Sequence, residues 1–557
     1  MKAFAVAAVS AVLVVSTLLF LHLAAGSHKP PEYGNAVQQE VVLGEVNIVV
    51  TTDIHSWITG RDHEPFLNVS LGHVTSFVEH LRELAAKQKK DVFFFDNGDI
   101  NDGTALSGLA SDHVEYLAPL MQAVPYDALN LGNHELYSRS HGLLPGNVTD
   151  CPVEGLRDSG YIKSWGPRYV TSNVAWANTG HAIGQRFHVV KGRFGTTLLV
   201  FGFLYNMEDA CPAVVVHNVS EVVQEQWFEE ALKSTDMDAV VVLAHMHFED
   251  PLIDLIQAAI RRIRGPRMPV QFLAGHSHLR GWRRLDHAAT VFEAGCKLDT
   301  VGFTSFSPTA GWTTPEGLVF NYMNLDGNTA EIAKATNVAE QDLLTPRGTD
   351  VLNKIVAQAK AIGADKVAGC ATRRYNVSAP LGRADSLYAF YMNTVVPGTL
   401  FAGSDRPMMA LSGSGTLIYD IYPGPLTVDD AYKASPFGNF WLVIQGVQGA
   451  HIVEALARLN KPQQTLPSSS MVVEPRPNMS ELPSYMNSST PQSQVDYDLI
   501  FCSFDMAAIT GELKNVTGQK PNVSTYKLPQ NTSSVLADWF FRDAPCPEQD
   551  AAQTLTV

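Results

Sequence analysis

The sequence predicts an α/β protein of two domains joined by a helix, and three observations carry that prediction. Between about Val46 and Leu325, short β-branched runs alternate with polar or helical stretches. Ala339–Lys366 spaces Leu343, Leu344, Val351, Leu352, Ile355, Val356 and Ala359 as an amphipathic helix between two bodies. Beyond it, Tyr375–Val557 is long enough for a second α/β domain. Within the first part, Val46–Thr51, Val92–Phe95, Ala128–Leu131, Thr197–Phe203, Ala239–Leu243 and Val270–Leu273 read as buried strands. Val74–Lys90 lies between the first two and reads as a helix through Val74, Phe77, Val78, Leu81 and Leu84. This strand–helix alternation is the mark of a layered α/β domain. Gln463–Val495 is rich in Pro and Ser and reads as a surface loop. The expected division is 1–26 as a leader, 42–335 and 371–557 as the two bodies, and 336–370 as the linker.

Composition narrows the function. The 557 residues hold 40 Lys+Arg against 56 Asp+Glu, a formal charge of −16. That balance argues against a nucleic-acid binder, which needs a basic face to displace counterions. Six cysteines without a C-x-x-C pair argue against a disulfide scaffold and against thiolate zinc. Met1 and Lys2 precede an apolar run, Ala3–Leu21, followed by Ala24, Ala25 and Gly26. This fits a secretory signal cleaved after Gly26, and the run is also long enough to be an uncleaved anchor, the one case in which the chain would touch a membrane. Either way the rest of the chain faces a lumen or the outside, whether secreted, at the cell surface or in a vacuolar or lysosomal lumen. Nine N-x-S/T sequons agree, at Asn68, Asn147, Asn218, Asn376, Asn478, Asn487, Asn515, Asn522 and Asn531. Composition alone would give about three or four. In such a compartment the even cysteine count permits disulfides: Cys151 could pair with Cys211 and Cys502 with Cys546, although spacing does not fix the connectivity.

Five short segments place Asp, Asn or His directly after an expected strand. They are Thr52-Asp53-Ile54-His55, Asn97-Gly98-Asp99-Ile100-Asn101-Asp102, Leu131-Gly132-Asn133-His134-Glu135, Leu243-Ala244-His245-Met246-His247 and Ala274-Gly275-His276-Ser277-His278. Strand ends in open α/β sheets are where loops converge and ligands collect. Carboxylates, an amide oxygen and imidazoles form a mixed N/O donor set suited to divalent transition metals. One histidine after a strand is usually only a hydrogen-bonded residue, and one Gly-Asn is usually only a turn. Five such segments in series are not explained that way.

The order D-x-H, G-D, G-N-H-E, H, G-H-x-H resembles the calcineurin-like metallophosphoesterase superfamily. The downstream half resembles the C-terminal domain of the 5'-nucleotidase family through Gly424-Pro425-Leu426-Thr427, Tyr432, Pro436-Phe437-Gly438-Asn439 and the helix His451–Ala457. Tyr169–Val174 and Ala294-Gly295 fit the nucleotidase form of the first domain. The resemblance implies a four-layer α/β/β/α catalytic domain, a linker helix and a 5'-nucleotidase C-terminal-like α/β domain that supplies specificity. It also implies two divalent metal ions, with zinc or manganese the better guesses for a secretory protein. One ion would take Asp53, His55, Asp99 and His278; the other would share Asp99 and take Asn133, His245 and His276. The implied reaction releases phosphate from a small phosphate ester, a nucleotide first, through hydroxide generated on the metals, with His134 facing the substrate.

Two departures qualify the likeness. The family follows N-H-E with Phe-Asp, whose carboxylate orients the histidine; here Leu136-Tyr137 follows. The family's N-x-G-G-I-R segment reads Gly413-Ser-Gly-Thr-Leu-Ile418, so Gly413 and Ile418 stand at the substrate Asn and Arg positions. Loss of a charge-assisted Arg contact removes ~1.5–3 kcal/mol of binding. The alternatives are therefore a phosphatase or phosphodiesterase for another metabolite, or a metal-loaded binding protein without turnover. Among the other polar residues, Asp102 reads as a cap for the following helix and Glu135 as a local hydrogen-bond partner. His247 is either a hydrogen-bond partner of the metal site or exposed. Phe437 is either packing or a nucleotide platform. His63, His73, His80, His113, His141, His217, His287 and His451 read as surface or structural.

Overall fold

The computed structural model describes residues 41–557 apart from 62, 65, 111, 138, 141–148, 310–316, 402, 438, 462–481, 528–529 and 548–557. The apolar run 3–21, the sequons at Asn147 and Asn478, His141 and Gly438 therefore lie outside the described residues. From Val42 onward the chain forms one compact unit.

The first half is built on two sheets. In one, Val46–Thr51 runs parallel to Asp91–Asp96 and antiparallel to Thr300–Phe306, with Ala128–Leu129 and Phe320–Asp326 at the edges. In the other, Thr197–Leu204, Ala239–His245, Val270–Ala274 and Ala289–Ala294 run parallel, flanked by Phe187–Lys191 and Arg280–Asp286. Strand periodicity sends alternate side chains to opposite faces. Val46, Ile48, Val50, Phe93 and Phe95 accordingly meet Leu198, Val200, Val241, Leu243 and Leu273 in one core between the sheets. The other faces are covered by helices. Leu71–Ala86 buries Val74, Phe77, Val78 and Leu81, and Phe228 of Gln226–Ser234 packs 4.8 Å from Phe201. This is the α/β/β/α layering expected. Leu71–Ala86 begins earlier than the apolar spacing indicates because Ser70 and His73 form a reciprocal cap.

The linker helix is Pro346–Ala361, shorter than the apolar pattern, because Thr345 caps it and Pro346 occupies its first turn. It crosses Leu71–Ala86 at Gly72 and Gly348, where a Cβ on Gly72 would meet the Gly348 oxygen at 2.5 Å.

In the second half a mixed sheet runs in the order Tyr485–Asn487, Met408–Gly413, Asp496–Cys502, Trp441–Gln448, Ser524–Thr525. Met409, Leu411, Leu499 and Phe501 pack under Gly449–Leu459 and Met506–Thr517. Ala410, Val443 and Ile500 face Leu387, Tyr391 and the helix Thr532–Asp543. The surface-loop expectation for 463–495 fails at its end: Tyr485–Asn487 pairs with Met408–Gly413, and Met486 is buried. Among the sequons, Asn218, Asn515 and Asn522 are exposed.

Cys151 bonds to Cys211 as the sequence allows, but Cys546 bonds to Cys370, not to Cys502. The reason is local. The Cys370 N–H donates to the Ala544 oxygen at 2.8 Å, which brings the two chain segments side by side. Cys502 is instead fully buried in its sheet, its thiol 3.0 Å from Asp505 Oδ2. Closing 176 residues of chain places the second bridge among the long loops worth roughly 4–5 kcal/mol in the chain-entropy account. A non-reducing peptide map should recover the 151–211 and 370–546 pairs, with Cys296 and Cys502 as free thiols and the buried Cys502 alkylated only after denaturation. A 502–546 peptide would contradict this topology.

Candidate metal centre

All five segments meet at the strand ends where the two sheets abut. The loops after Val46–Thr51 and Asp91–Asp96 are joined backbone to backbone: Asp53, His55 and Ser56 donate to the oxygens of Gly98, Asp99 and Ile100 at 3.0, 2.9 and 2.7 Å. Both sheets are tied together beneath them by Asn97, whose amide donates to the oxygens of Ala244 and Leu273. Asp53, His55, Asp99, His276 and His278 all take left-handed backbone conformations, with φ of 51°, 44°, 56°, 73° and 60°. Such conformations cost a non-glycine residue about 1 kcal/mol or more, and they cluster where function imposes geometry.

The donor atoms form two groups that share Asp99. Asp53, His55, Asp99 and His278 place one donor each within 4.8 Å of one another, and so do Asp99, His245 and His276. His245 Nε2 lies 3.1 Å from Asp99 Oδ2 and 3.1 Å from Asn133 Oδ1, which brings Asn133 to the second group. His278 Nε2 is 3.4 Å from Asp53 Oδ1 and 3.0 Å from His55 Nε2. Asp53, Asp99 and His245 are at most 1% exposed.

The donor chemistry fits divalent cations. His55 Nδ1 faces the Asn101 oxygen and His245 Nδ1 faces the Asn97 oxygen, both at 2.8 Å. A carbonyl accepts only, so each Nδ1 carries a proton and each Nε2 is the nitrogen turned into the cluster, where a cation would take its lone pair. Charge points the same way. Burial and the neighbouring His134 and His278 push His55 down to about 3, and burial with His245 pushes His276 down to about 3. Both are neutral at pH 7, the form in which an imidazole can bind a metal. Burial also disfavours the charged form of His245, yet Asp99 and Asp53 outweigh it and carry that residue up to about 10. The two carboxylates draw in positive charge, which a bound cation would supply.

Around this cluster stand Glu135, the local hydrogen-bond partner expected, and Asp102, whose partners the sequence did not disclose. Glu135 is buried and accepts the backbone N–H of Asp99, Ile100 and Gly132 at 3.0, 2.8 and 2.6 Å, so it shapes the loop as a local partner. Burial, together with Asp99, pushes its carboxyl up to about 7. Asp102 does not cap the short helix Ala105–Gly108; Thr104 does. Asp102 Oδ2 lies 2.8 Å from His134 Nδ1 and its Oδ1 lies 3.0 Å from His113 Nδ1. Its one sequence signal was an acid three residues beyond Asp99. Asn133 Nδ2 donates to the Tyr137 hydroxyl at 3.1 Å, leaving Oδ1 turned toward His245. His247 faces away and accepts from the Glu249 N–H in its own turn.

The second half reaches the site through Phe437, whose ring stacks over His134 at 6.1 Å and 25°. Gly413 has no room for a side chain, because a Cβ there would meet Asp505 Oδ1 at 2.5 Å. Ile418 is buried. Between the halves lies an aromatic seam: Tyr419 edges onto Trp57 at 4.8 Å and donates to Glu64, and Tyr422 stacks on His63 at 5.1 Å. His63 also pairs with Asp430 at 3.3 Å.

Comparison with known proteins places this architecture. Residues 46–280 match the calcineurin-like phosphoesterase family, so the first half is a domain of that kind. Residues 374–498 match the C-terminal domain of NAD nucleotidase, giving the chain the two-domain organisation of the 5'-nucleotidases. A secreted protein of Arthroderma benhamiae is 27% identical over 463 residues, 75% of this chain and 68% of that one. The 5'-nucleotidase of Mus musculus is 28% identical over 244 residues, 42% of this chain and 38% of its own. The crystal structure of a Candida albicans 5'-nucleotidase superposes with a TM-score of 0.77 at 23% identity, covering 91% of this chain and 99% of that one. The last likeness is one of fold.

Tyr137→Phe, which removes only the hydroxyl that orients Asn133, should weaken metal retention about tenfold in chelator competition, in line with other outer-shell losses. The same variant should leave thermal unfolding of the metal-free protein nearly unchanged.

Proposed function

We propose that the chain is a dinuclear hydrolase that releases phosphate from a small phosphate ester, with a nucleotide as the leading substrate. The observation that carries this reading is the inward set of Nε2 atoms around two buried carboxylates, with His134 and Phe437 on the same side. Asp53, His55, Asp99 and His278 would hold one divalent ion; Asp99, Asn133, His245 and His276 would hold the other. Zinc or manganese suits this N/O set in a secretory compartment. When bound, two such ions supply an activated water and stabilise the phosphoryl oxygens as charge builds.

The protein's own groups do the rest. Asp53 and Asp99 together carry two negative charges, so two divalent ions leave the site positive toward a phosphate. Asn133 adds an oxygen without adding charge. His134 keeps Nδ1 on the Asp102 carboxylate, so its Nε2 is the nitrogen that stabilises the phosphoryl group or passes a proton to the departing oxygen. Phe437, stacked over His134, is the part of the second domain placed to meet the leaving group.

A second reading has its own observation. Ile418 and Gly413 withhold the family's substrate contacts, and the seam of Trp57, Tyr419 and Tyr422 lies between the halves. That favours a phosphorylated metabolite other than a nucleoside monophosphate. We place the catalytic body at 42–335, the linker at 336–370 and the specificity body at 371–557. The chain would act in a secretory lumen or outside the cell. No described helix is long and apolar enough to cross a membrane.

Metal-loaded protein should release phosphate from a panel of AMP, ATP, a cyclic nucleotide, a dinucleotide sugar and aryl phosphates. Asp99→Ala should lose both metal and activity, while His134→Ala should keep its metal and lose roughly 10²–10⁴-fold in kcat. Preference for AMP supports the nucleotide reading and aryl phosphate turnover without preference supports the second; a metal-loaded protein inert on the whole panel sinks both.

A further inference from the structure

We propose that the cleft lined by Arg82, Lys90, Lys191 and Arg193 is a binding site for a soluble diphosphate-type anion, separate from the metal centre. The cleft holds a cavity of about 230 Å³. It lies at the far end of the two sheets. Asp91–Asp96 begins at the cleft, and the candidate ligand Asp99 follows only after its other end. In the second sheet, Thr197–Leu204 begins beside the cleft and runs parallel to Ala239–His245, which ends on the candidate ligand His245. Strands of this length set the cleft roughly 20 Å from the metal centre. The helix Leu71–Ala86 supplies Arg82, and the turn that joins Phe187–Lys191 to Thr197–Leu204 supplies Arg193.

Two acids stand in the same wall, and both are already satisfied. Asp91 accepts the Phe194 N–H at 2.9 Å and the Thr196 N–H at 3.1 Å. Gly192 permits that approach, since a Cβ there would strike the Asp91 carboxylate. Asp127 accepts from Arg82 Nη2 at 2.7 Å and from the Phe94 N–H at 2.8 Å. The cations are not matched in the same way. Lys90 Nζ donates to the Leu43 oxygen at 2.7 Å, a neutral acceptor that leaves its charge uncompensated. Lys191 and Arg193 are exposed, and among the described residues neither pairs with a carboxylate. Arg193 lies over the Phe194 ring at 5.4 Å, which holds it at the rim. This local excess of positive charge stands out in a chain whose formal charge is −16. Several cations around one concavity call for an anion with several charges, and the planar guanidiniums of Arg82 and Arg193 match the oxygens of a phosphoryl group. The cavity is too large for a halide and takes two phosphoryl groups, or one on a small organic body.

Titration calorimetry of the full metal-loaded chain with sodium pyrophosphate tests this, beside the double variant Lys191→Ser, Arg193→Ser. Both side chains are exposed and neither supports the core, so the variant should keep the parent's thermal unfolding and its turnover of phosphate esters. Pyrophosphate taken up by the metal centre is common to the two proteins, so the difference between them reads the cleft alone. The parent should bind an equivalent that the variant binds about tenfold more weakly, since two charge-assisted contacts are lost at a solvent-screened rim. Raising the salt from ~50 to ~200 mM should weaken that equivalent in the parent and erase most of the difference. Superimposable titrations of parent and variant would overturn the proposal. Binding of citrate as tight as that of pyrophosphate would overturn its assignment to a phosphoryl group. Flotation with phosphatidic acid vesicles, without any response to pyrophosphate, would overturn it in favour of a membrane contact.

Discussion

Two carboxylates, Asp53 and Asp99, lie almost wholly out of water at the ends of adjacent parallel strands. Leaving such charges uncompensated would cost several kcal/mol each, a large share of a domain's stability. The surroundings answer that constraint. Imidazoles from the second sheet face the carboxylates, and the His276 N–H donates to Asp53 at 2.9 Å. The His134 N–H donates to Asp99 Oδ1 at 2.8 Å. A third carboxyl, Glu135, organises the loop carrying His134 without facing the ligand cluster. The sheets abut where they do because the residues that satisfy these charges come from both.

Much of this was legible in the sequence. The strands announced themselves through β-branched runs, since residues buried on both faces leave no polar alternation. The candidate ligands were legible because each ends a strand or follows one within four residues, so topology alone brings them together. What escaped notice depended on relations across distance. The sequence cannot say that Asp102 turns back to His134, since an acid ahead of a helix has the same appearance as a cap. Nor does it say that Tyr137 holds Asn133, or that Cys546 lies beside Cys370. Tyr485–Asn487 was obscured by the Pro- and Ser-rich stretch before it, yet Met486 packs into the core.

The second domain departs from the expected pattern at Gly413 and Ile418 while the first domain keeps all five strand-end segments. Asp505 leaves no room for a side chain at Gly413 and accepts that residue's N–H at 2.9 Å, so the position is a packed backbone contact. The surface gained in exchange is aromatic and bridges the halves, through Tyr419 on Trp57 and Tyr422 on His63. Phe437 lies over His134.

The bridge between Cys151 and Cys211 has a meaning beyond holding a loop. The Val153 N–H donates to the Glu135 oxygen at 2.9 Å and the Cys211 N–H donates to the Leu136 oxygen at 2.7 Å, so both ends of the bridge are stitched to the residues just after His134. Oxidation of this pair therefore completes the frame around the His134 imidazole. A chain still in a reducing environment would carry its donor atoms but not this brace, so maturation of the site is coupled to the compartment that forms the bond.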